Sequence, residues 1–236
     1  MYRNHYIAVI IPALNEERSI GKVIAELPGE CDTIIVCDNG STDATAEVAA
    51  AAGARLVHQP ERGYGAACLA AVTAAPANTD ILLYIDADYS DFPAEAPLLL
   101  DPIVDGRADL VIGSRTRTAA ARSALTPLAR FGNWLAPALI RLFWGARYTD
   151  LGPFRAIRYT AYRMLDMRDR NFGWTVEMQI KAARRGLRST EVAVSYRPRI
   201  GVSKISGAIG GSIKAGVKIL YLIVREALTP RRQHSA

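Results

Sequence analysis

The sequence predicts an α/β fold in which a mainly parallel sheet carries helices on both faces. Short apolar runs rich in Ile, Val and Leu recur along residues 7–112 and alternate with segments of helical spacing. Such runs are typical of strands buried on both faces, and their alternation with helices indicates parallel pairing. Polar clusters follow four of the runs, at the sheet edge where ligands of this fold class bind.

The first half of the chain supplies the predicted elements in order. The predicted strands are Ile7–Ile11, Thr33–Cys37, Ala54–Val57, Ile81–Ile85 and Leu110–Ile112. The predicted helices are Glu16–Leu27, Asp43–Ala52, Tyr64–Ala75 and a segment near Pro93–Val104. We expect Pro12 to end the first strand, because proline cannot donate to a sheet ladder, and Ser41 or Thr42 to cap the second helix.

The second half of the chain is less regular. It contains the apolar, aromatic and basic segment Leu125–Trp144, a predicted helix Thr175–Arg185, a predicted strand Thr190–Tyr196 and a predicted helix Ile205–Leu228 with Lys214, Lys218 and Arg225. Leu125–Trp144 and Ile205–Leu228 combine apolar bulk with cationic side chains, as helices at a membrane interface do. The alternative is a buried cap on the core with a solvated basic face.

Charge is distributed unevenly along the chain. Residues 1–114 hold 6 Lys and Arg against 17 Asp and Glu, whereas residues 115–236 hold 23 against 6. The first part therefore suits a cation, and the second suits phosphate, an anionic membrane or nucleic acid. We see no leader and no run of about 18 apolar residues that would span a bilayer. The three cysteines fit no zinc pattern, so we expect a cytoplasmic protein with reduced thiols.

The segment Asp86-Ala87-Asp88 directly follows the predicted strand Ile81–Ile85. In extended chain, residues two apart point the same way. Two carboxylates at the exit of a strand can share a hard cation such as Mg²⁺ or Mn²⁺, and that cation would stabilise a diphosphate leaving group. An ordinary acidic turn is the alternative reading of an isolated Asp-x-Asp.

Three other loops combine polar residues with small residues at predicted strand ends. Pro12–Glu17 opens a helix, whose N-terminal N–H groups attract anions, while its acidic side chains accept hydrogen bonds from ribose; helix capping explains it equally well. Asp38–Asp43 offers an acceptor for a nucleobase or ribose, or else forms a capped glycine turn. In Arg62–Ala67, Gly63 and Gly65 permit close approach by a ligand or by another backbone.

The ordered set of these motifs resembles family-2 glycosyltransferases of the GT-A fold. The matching segments are Pro-Ala-Leu-Asn-Glu-Glu from Pro12, Asp-Asn-Gly-Ser-Thr-Asp from Asp38, Arg-Gly-x-Gly from Arg62, Asp-Ala-Asp from Asp86 and Gly-Ser-Arg ending at Arg115. The later segments Thr149–Ile157, Trp174–Glu177, Tyr196–Arg199 and Gly201–Lys204 resemble the polyprenyl-phosphate (dolichyl-phosphate) hexose synthase branch. The resemblance implies a GT-A catalytic domain over residues 1–200, with a nucleotide-sugar and metal half at 1–116 and an acceptor half at 117–200. A basic amphipathic helix and tail would follow at 201–236.

The resemblance also implies roles for individual residues. The nucleotide sugar would be held by Pro12, Leu14, Glu16, Asp38, Gly63 and Asp86. The metal ion would be held by Asp86, Asp88 and Ser90, where Ser90 stands at a position that is often Gln in this branch. The acceptor phosphate would be bound by Arg115, Arg197 and Lys204, and the catalytic candidates are Asp150, Glu177 and Arg115.

A lipid phosphate is a chemically consistent acceptor. A phosphate monoester, with a second pKa of about 6, is already an anionic nucleophile and needs cations to position it rather than a general base. The expected reaction inverts the anomeric carbon of UDP-glucose or GDP-mannose by in-line displacement, with Mg²⁺ or Mn²⁺ as cofactor. The expected partners are a polyprenyl phosphate and an anionic membrane surface at the cytoplasmic face, with a homo-oligomer or a membrane-protein partner also possible, and no nucleic acid.

Three alternatives stay open at this stage. The same fold could transfer sugar to a soluble hydroxyl, which would need a base such as Glu177 or Asp150. A nucleotidyltransferase usually has a glycine-rich basic loop after its first strand, where this chain has Pro12–Glu17. A non-catalytic nucleotide- or membrane-binding module is the alternative of another class, and the set of acidic residues argues against it.

Overall fold

The structure, a computed structural model, describes residues 1–117, 127–201 and 209–229. Within these ranges seven strands form one sheet in the order β3-β2-β1-β4-β6-β5-β7. The strands are β1 Ile7–Ala13, β2 Thr33–Asp38, β3 Arg55–His58, β4 Ile81–Tyr84, β5 Leu110–Ser114, β6 Arg155–Arg158 and β7 Ser189–Ala193. All of them run parallel except β6, which pairs antiparallel with β4 and with β5. The prediction of a mainly parallel sheet is confirmed.

Helices cover both faces of this sheet. They are α1 Ile20–Ala25, α2 Thr45–Ala51, α3 Tyr64–Thr73, α4 Ala96–Val104 after a 3₁₀ turn at Pro93–Glu95, α5 Pro127–Trp144, α6 Tyr159–Leu165, α7 Trp174–Arg184 and α8 Ile209–Leu228. Alternate residues of β1 show the two layers. Ile7, Val9 and Ile11 pack with α1, α2 and α4, whereas Ala8 and Ile10 pack on the opposite layer with α3 and α5–α8.

The strand β6 and the helix α6 were not predicted. β6 has the sequence Arg-Ala-Ile-Arg, which lacks the apolar run by which the other strands were found. Arg155 is nevertheless fully buried, because its guanidinium donates to the carbonyls of Gly152 at 3.1 Å and Thr175 at 2.9 Å. Burial lowers the pKa of Arg155, and these carbonyl acceptors keep the side chain satisfied inside the sheet.

The first strand and the first helix differ from their predicted bounds. β1 continues through Pro12 to Ala13, paired with β2, because its pairing with β4 ends at Ile10 and a proline is tolerated where a strand has a neighbour on one side only. Helix α1 begins at Ile20 instead of Glu16. The backbone N–H of Glu16 donates to Thr45 Oγ1 at 2.7 Å, so this segment is tied to the loop after β2 before the helix starts.

The other bounds shift by a few residues. β5 extends to Ser114 and β7 ends at Ala193 rather than Tyr196, while residues 202–208, which include the start of the predicted last helix, lie outside the described residues. Helix α2 has Ala44 at its N-cap without a side-chain cap, so neither Ser41 nor Thr42 fills the predicted role.

The helices α5, α7 and α8 pack together on one layer. Ala136 and Ile140 of α5 and Leu222 and Ile223 of α8 are buried there. Both α5 and α8 also keep large apolar side chains exposed, such as Leu142 at 73%. In the described part of the chain, none of the helices combines the length and apolarity needed to cross a bilayer.

Candidate active site

A cavity of about 300 Å³ opens at the carboxyl ends of the parallel strands. This is the edge at which ligands of open α/β sheets bind, and the volume is at the lower end of the range for small-molecule sites. Its lining residues are Pro12, Leu14, Glu16, Tyr64, Asp86, Ala87, Asp88, Arg115, Leu151, Pro153, Phe172, Thr175, Tyr196 and Arg199. Six sequence-predicted site residues, Pro12, Leu14, Glu16, Asp86, Asp88 and Arg115, therefore lie together.

Asp86 lies at the end of β4 and faces the cavity. Its Oδ1 accepts a hydrogen bond from the hydroxyl of Tyr64 at 3.1 Å. Burial, and after it the charge of Asp88, raises the pKa of Asp86 to about 7. A cation placed beside the two carboxylates would favour the ionised form of Asp86.

Asp88 is buried and is held on both of its oxygens. The backbone N–H of Ser90 donates to Oδ1 at 2.9 Å, and the guanidinium of Arg199 contacts Oδ2. The acid pair Asp86 and Asp88 fits a hard divalent cation, since it supplies carboxylate oxygens at a place where the protein already puts one positive charge. Throughout residues 1–117, 127–201 and 209–229, no group of three His, Cys, Asp or Glu could hold a metal ion, so a ligand or water would complete the coordination.

Ser90, a predicted metal ligand, is not a lining residue of the cavity. Its side chain is buried, and its backbone N–H donates to Oδ1 of Asp88 at 2.9 Å. Ser90 therefore supports the carboxylate of Asp88 through its backbone N–H, and its role as a metal ligand stays a prediction.

Arg115 and Asp150 form a bidentate ion pair beside the cavity. Nε and Nη2 of Arg115 donate to the two carboxylate oxygens at 2.9 and 2.8 Å, and the backbone N–H groups of Arg115 and Leu151 add bonds of 2.8 and 2.7 Å. Burial raises the pKa of Asp150, but the charge and hydrogen bonds of Arg115 outweigh it and lower the pKa overall. Arg115 lines the cavity and lies over the ring of Tyr196 at 5.1 Å. Asp150 is not a lining residue, so the structure places it as the group that orients Arg115.

Two arginines two residues apart in one extended segment have different surroundings. Arg197, the predicted phosphate ligand, stacks on the ring of Tyr89 at 3.3 Å and donates to Glu26 at 3.0 Å. It is not a lining residue of the cavity. Arg199, which was not predicted, reaches the cavity and Asp88. The phosphate role of Arg197 stays a prediction, Arg199 is a second candidate for it in this segment, and Lys204 lies outside the described residues.

Asp38 and Gly63 are also absent from the cavity lining. Asp38 accepts from the backbone N–H of Ser41 at 3.0 Å and lies 3.1 Å from Nδ1 of His58. A Cβ at Gly63 would come within 2.1 Å of the carbonyl oxygen of Arg170. The sequence left two explanations for Gly63, close approach by a ligand or by another backbone. The structure supports the second, because the segment 169–171 packs directly on the start of α3.

Glu177, the candidate base, is fully buried in α7 and is not a lining residue of the cavity. Its Oε2 accepts the backbone N–H of Asp169 at 2.7 Å and that of Arg168 at 3.1 Å. Its Oε1 pairs with Nζ of Lys181 at 2.7 Å. These contacts hold the segment that leads to the lining residue Phe172, so the geometry supports a positioning role for Glu177.

We expect Glu177→Gln to lower the free energy of unfolding by about 1–3 kcal/mol, because charge-assisted hydrogen bonds to two backbone N–H groups are weakened in the interior. Urea denaturation followed by tryptophan fluorescence measures this loss. Lys181→Gln is the matched control, since it removes the ion pair but leaves the N–H acceptors in place. An unchanged unfolding free energy, together with loss of the acid limb of the pH–rate profile, would instead identify Glu177 as a base.

Sequence reasoning missed several lining residues. Tyr64 stands inside Arg62–Ala67, whose glycines drew attention, and Arg199 stands inside Tyr196–Arg199; both were visible as motif members without an assigned role. Phe172 and Thr175 belong to the start of α7 and its preceding loop. They reach the cavity because that loop packs on Gly65, where a Cβ would lie 2.0 Å from the carbonyl oxygen of Asp169. No local sequence pattern predicts this contact between distant segments.

The chain belongs to glycosyltransferase family 2, because the family pattern described as "Glycosyl transferase family 2" matches residues 8–166. It is 40% identical over 210 residues to an uncharacterized glycosyltransferase of Mycobacterium tuberculosis, covering 89% of this chain and 94% of that protein. It is 34% identical over 226 residues to a dolichyl-phosphate hexose transferase of Haloferax volcanii, covering 94% and 96%. The chain is therefore a glycosyltransferase.

The fold agrees with this family. Glucosyl-3-phosphoglycerate synthase from Mycobacterium tuberculosis, solved in complex with Mn²⁺, UDP-glucose and phosphoglyceric acid, superposes with a TM-score of 0.77 at 23% identity, over 98% of this chain and 82% of that one. At this identity the likeness shows the fold. The predicted GT-A fold is confirmed, while the division into residues 1–116, 117–200 and 201–236 stays a prediction.

Proposed function

We propose that this glycosyltransferase moves a hexose from UDP-glucose or GDP-mannose to a polyprenyl phosphate at an anionic membrane surface, with Mg²⁺ or Mn²⁺ bound by Asp86 and Asp88. An oxygen of the acceptor phosphate attacks the anomeric carbon while the bond from that carbon to the diphosphate oxygen breaks. The nucleoside diphosphate leaves and the anomeric configuration inverts.

The observation that carries this proposal is the meeting of two acids and two arginines in one cavity. Asp86, Asp88, Arg115 and Arg199 all line it. A divalent cation at the two acids neutralises a diphosphate and stabilises it as a leaving group. The arginines offer the bidentate donors that phosphate groups accept, and two of them suit a site that brings a donor diphosphate next to an acceptor phosphate.

The acidic residues of the cavity favour a phosphate acceptor over a hydroxyl acceptor. A hydroxyl needs a general base within hydrogen-bond reach. The acids among the lining residues are Glu16, Asp86 and Asp88; the last two are the proposed metal ligands, and Glu16 accepts from the hydroxyl of Ser19 at 3.0 Å. Because a phosphate monoester is already anionic near neutral pH, it needs no base, and the relative from Haloferax volcanii is named for a dolichyl-phosphate substrate.

The helices α5 and α8 support docking on a membrane. Their exposed apolar side chains are Trp134, Leu142, Phe143, Val217, Leu220, Tyr221, Val224 and Leu228. The cationic residues Arg141, Lys218 and Arg225 stand on the same two helices. Apolar and aromatic side chains beside cationic ones match the interfacial region of an anionic bilayer, and a polyprenyl phosphate presents its headgroup at that depth.

The fold likeness bears on the metal and the donor. The solved glucosyl-3-phosphoglycerate synthase was complexed with Mn²⁺ and UDP-glucose, which supports a divalent cation and a nucleotide sugar for the same fold. That enzyme's structure also contains phosphoglyceric acid, a soluble acceptor. Phosphoglyceric acid is therefore the soluble phosphate ester against which a lipid phosphate is compared.

In the test, the purified protein is incubated with UDP-glucose or with GDP-mannose, in the presence of Mg²⁺ or Mn²⁺. The acceptor is a short polyprenyl phosphate in phosphatidylcholine vesicles, prepared with or without phosphatidylglycerol. We expect one of the two donors to be used, and we expect one molecule of nucleoside diphosphate to be released for each molecule of glycolipid formed. We expect faster turnover on the anionic vesicles and none with a chelator. Phosphoglyceric acid is the matched soluble acceptor; sugar transfer to it but not to the lipid phosphate would contradict the proposal.

A further inference from the structure

We propose that Arg199 is an exchangeable counter-ion: it neutralises Asp88 in the free protein and passes to the donor diphosphate when a divalent cation takes its place at Asp88. This inference rests on the proposed function. It concerns the order in which the site fills, because a guanidinium and a divalent cation at the same carboxylate oxygen repel each other and therefore compete for it.

The surroundings of Asp88 make Arg199 the competitor of a cation. Asp88 is 4% exposed, so its charge depends on protein partners. One oxygen accepts the backbone N–H of Ser90 at 2.9 Å, and that bond survives when a metal ion binds. The other oxygen pairs with Nη2 of Arg199, and this is the contact that a second cation would replace.

Arg199 is held by fewer contacts than Arg115 and Arg197 among the residues that the structure describes. The guanidinium of Arg115 donates to both carboxylate oxygens of Asp150 through Nε and Nη2. Arg197 donates to the carbonyl of Tyr89 at 2.7 Å as well as to Glu26. Arg199 is bound to Asp88 through Nη2, and its Nε is buried without a hydrogen-bond partner in the part of the chain that the structure describes. An unsatisfied buried donor is costly, so a phosphate oxygen arriving in the cavity would give Arg199 a better partner.

The position of Arg199 allows this exchange. Its side chain is 30% exposed and lines the same cavity as Asp86 and Arg115. Arg115 and Arg197 are fixed by several contacts each, whereas Arg199 has one carboxylate partner within the described ranges and lines the cavity. A short movement within the cavity therefore takes the guanidinium from Asp88 to a bound diphosphate.

The exchange makes binding of the cation and binding of the nucleotide depend on each other. In the absence of nucleotide, a divalent cation must displace Arg199 into a cavity that holds no anion, so the affinity of the Asp88 site for the cation is reduced. A nucleoside diphosphate supplies the anion, so the nucleotide and the cation strengthen each other's binding by the same factor. Arg199→Gln removes the competitor and the spare donors together, and it therefore raises the affinity for the cation alone while shrinking the enhancement by nucleotide.

The experiment titrates the full chain with Mn²⁺ and follows free Mn²⁺ by electron paramagnetic resonance, alone and with UDP or GDP. Arg199→Gln is expected to bind Mn²⁺ alone roughly fivefold more tightly than the parent, which corresponds to the loss of one competing ion pair of about 1 kcal/mol. The nucleotide is expected to enhance Mn²⁺ binding less in this variant. Arg199→Lys, which keeps a cation at Asp88, is expected to retain the weak binding of Mn²⁺ alone.

Arg62→Gln is the control for a general loss of positive charge, because Arg62 is exposed and donates to the carbonyl of Gly40 instead of an acid of the cavity. If Arg199→Gln binds Mn²⁺ no more tightly than the parent and Arg62→Gln do, the exchange is refuted, while the proposed function stands provided that the parent binds Mn²⁺ with nucleotide. Absence of Mn²⁺ binding to the parent in all three conditions would overturn both. Thermal unfolding curves of each variant show that the comparison is made between folded proteins.

Discussion

Asp88→Asn is expected to lower kcat for hexose transfer by about three orders of magnitude, the equivalent of about 4 kcal/mol of transition-state stabilisation. The substitution keeps the shape of the side chain and its bond to the N–H of Ser90. It removes the negative charge that makes this position a cation site. Steady-state release of nucleoside diphosphate, measured over a range of Mg²⁺ and Mn²⁺ concentrations, checks the result.

The control for this substitution is Asp166→Asn, because Asp166 is an exposed acid whose ion-pair partner is the exposed Arg168. We expect this control to retain the turnover of the parent. If Asp88→Asn and the parent turn over at the same rate, and a chelator slows neither of them, the proposed metal-assisted reaction at this site is contradicted. A residual rate that rises with added cation would instead show that Asp86 still binds the ion weakly.

The sequence predicted most of the sheet because its parallel strands are buried on both faces. Ile7–Ile11 and Ile81–Ile85 are apolar at every position, and each is followed by a helical segment, so their pairing could be inferred without the structure. The strand Arg155–Arg158 could not be found in that way. Its Arg155 is satisfied by nearby carbonyls of Leu151 and Gly152 and by the distant carbonyl of Thr175. The strand itself depends on pairing with β4 and β5, which no local pattern of the sequence indicates.

Part of the site was predictable because strand ends converge. Asp86 and Asp88 follow a buried strand, and the parallel fold brings them beside Pro12, Leu14 and Glu16. The choice between Arg197 and Arg199 was not predictable, because β7 ends at Ala193 and the chain beyond it follows no strand period. Which of two arginines enters the cavity is decided by the stacking of Arg197 on Tyr89.

The uneven charge of the sequence has a structural explanation. Acids of the first half pair with arginines of the second half across the fold, as in Asp88 with Arg199 and Glu26 with Arg197. Asp109 with Arg188 is a third such pair, at 2.7 Å. The charge asymmetry therefore reflects ion pairs between the two halves as well as ligand binding. The sequence alone does not show which charged residues are paired within the fold and which are available to a ligand.

The ion pair of Asp150 and Arg115 is expected to be the largest single electrostatic contribution to stability beside the cavity. Asp150 is fully buried and the Arg115 side chain is 13% exposed, so neither charge is well solvated if its partner is lost. We expect Asp150→Asn to lower the free energy of unfolding by about 3–5 kcal/mol, the usual cost of breaking a buried pair by removing one partner. Urea denaturation measures it, and Glu61→Gln, in an exposed pair with Arg170, is expected to cost less than about 1 kcal/mol.

The pH dependence of stability gives the same pair a second readout. Because Arg115 lowers the pKa of Asp150 in the folded state, its contribution is present above the unfolded pKa of about 3.9 and is lost as pH falls through the lower folded pKa. The parent should therefore lose more stability on acidification below about pH 4 than Asp150→Asn does. Arg115→Met with Asp150→Asn should destabilise by less than the sum of the two single changes, since the double variant leaves neither charge unpaired. Strict additivity, with no difference in acid sensitivity, would mean that the two side chains do not stabilise each other.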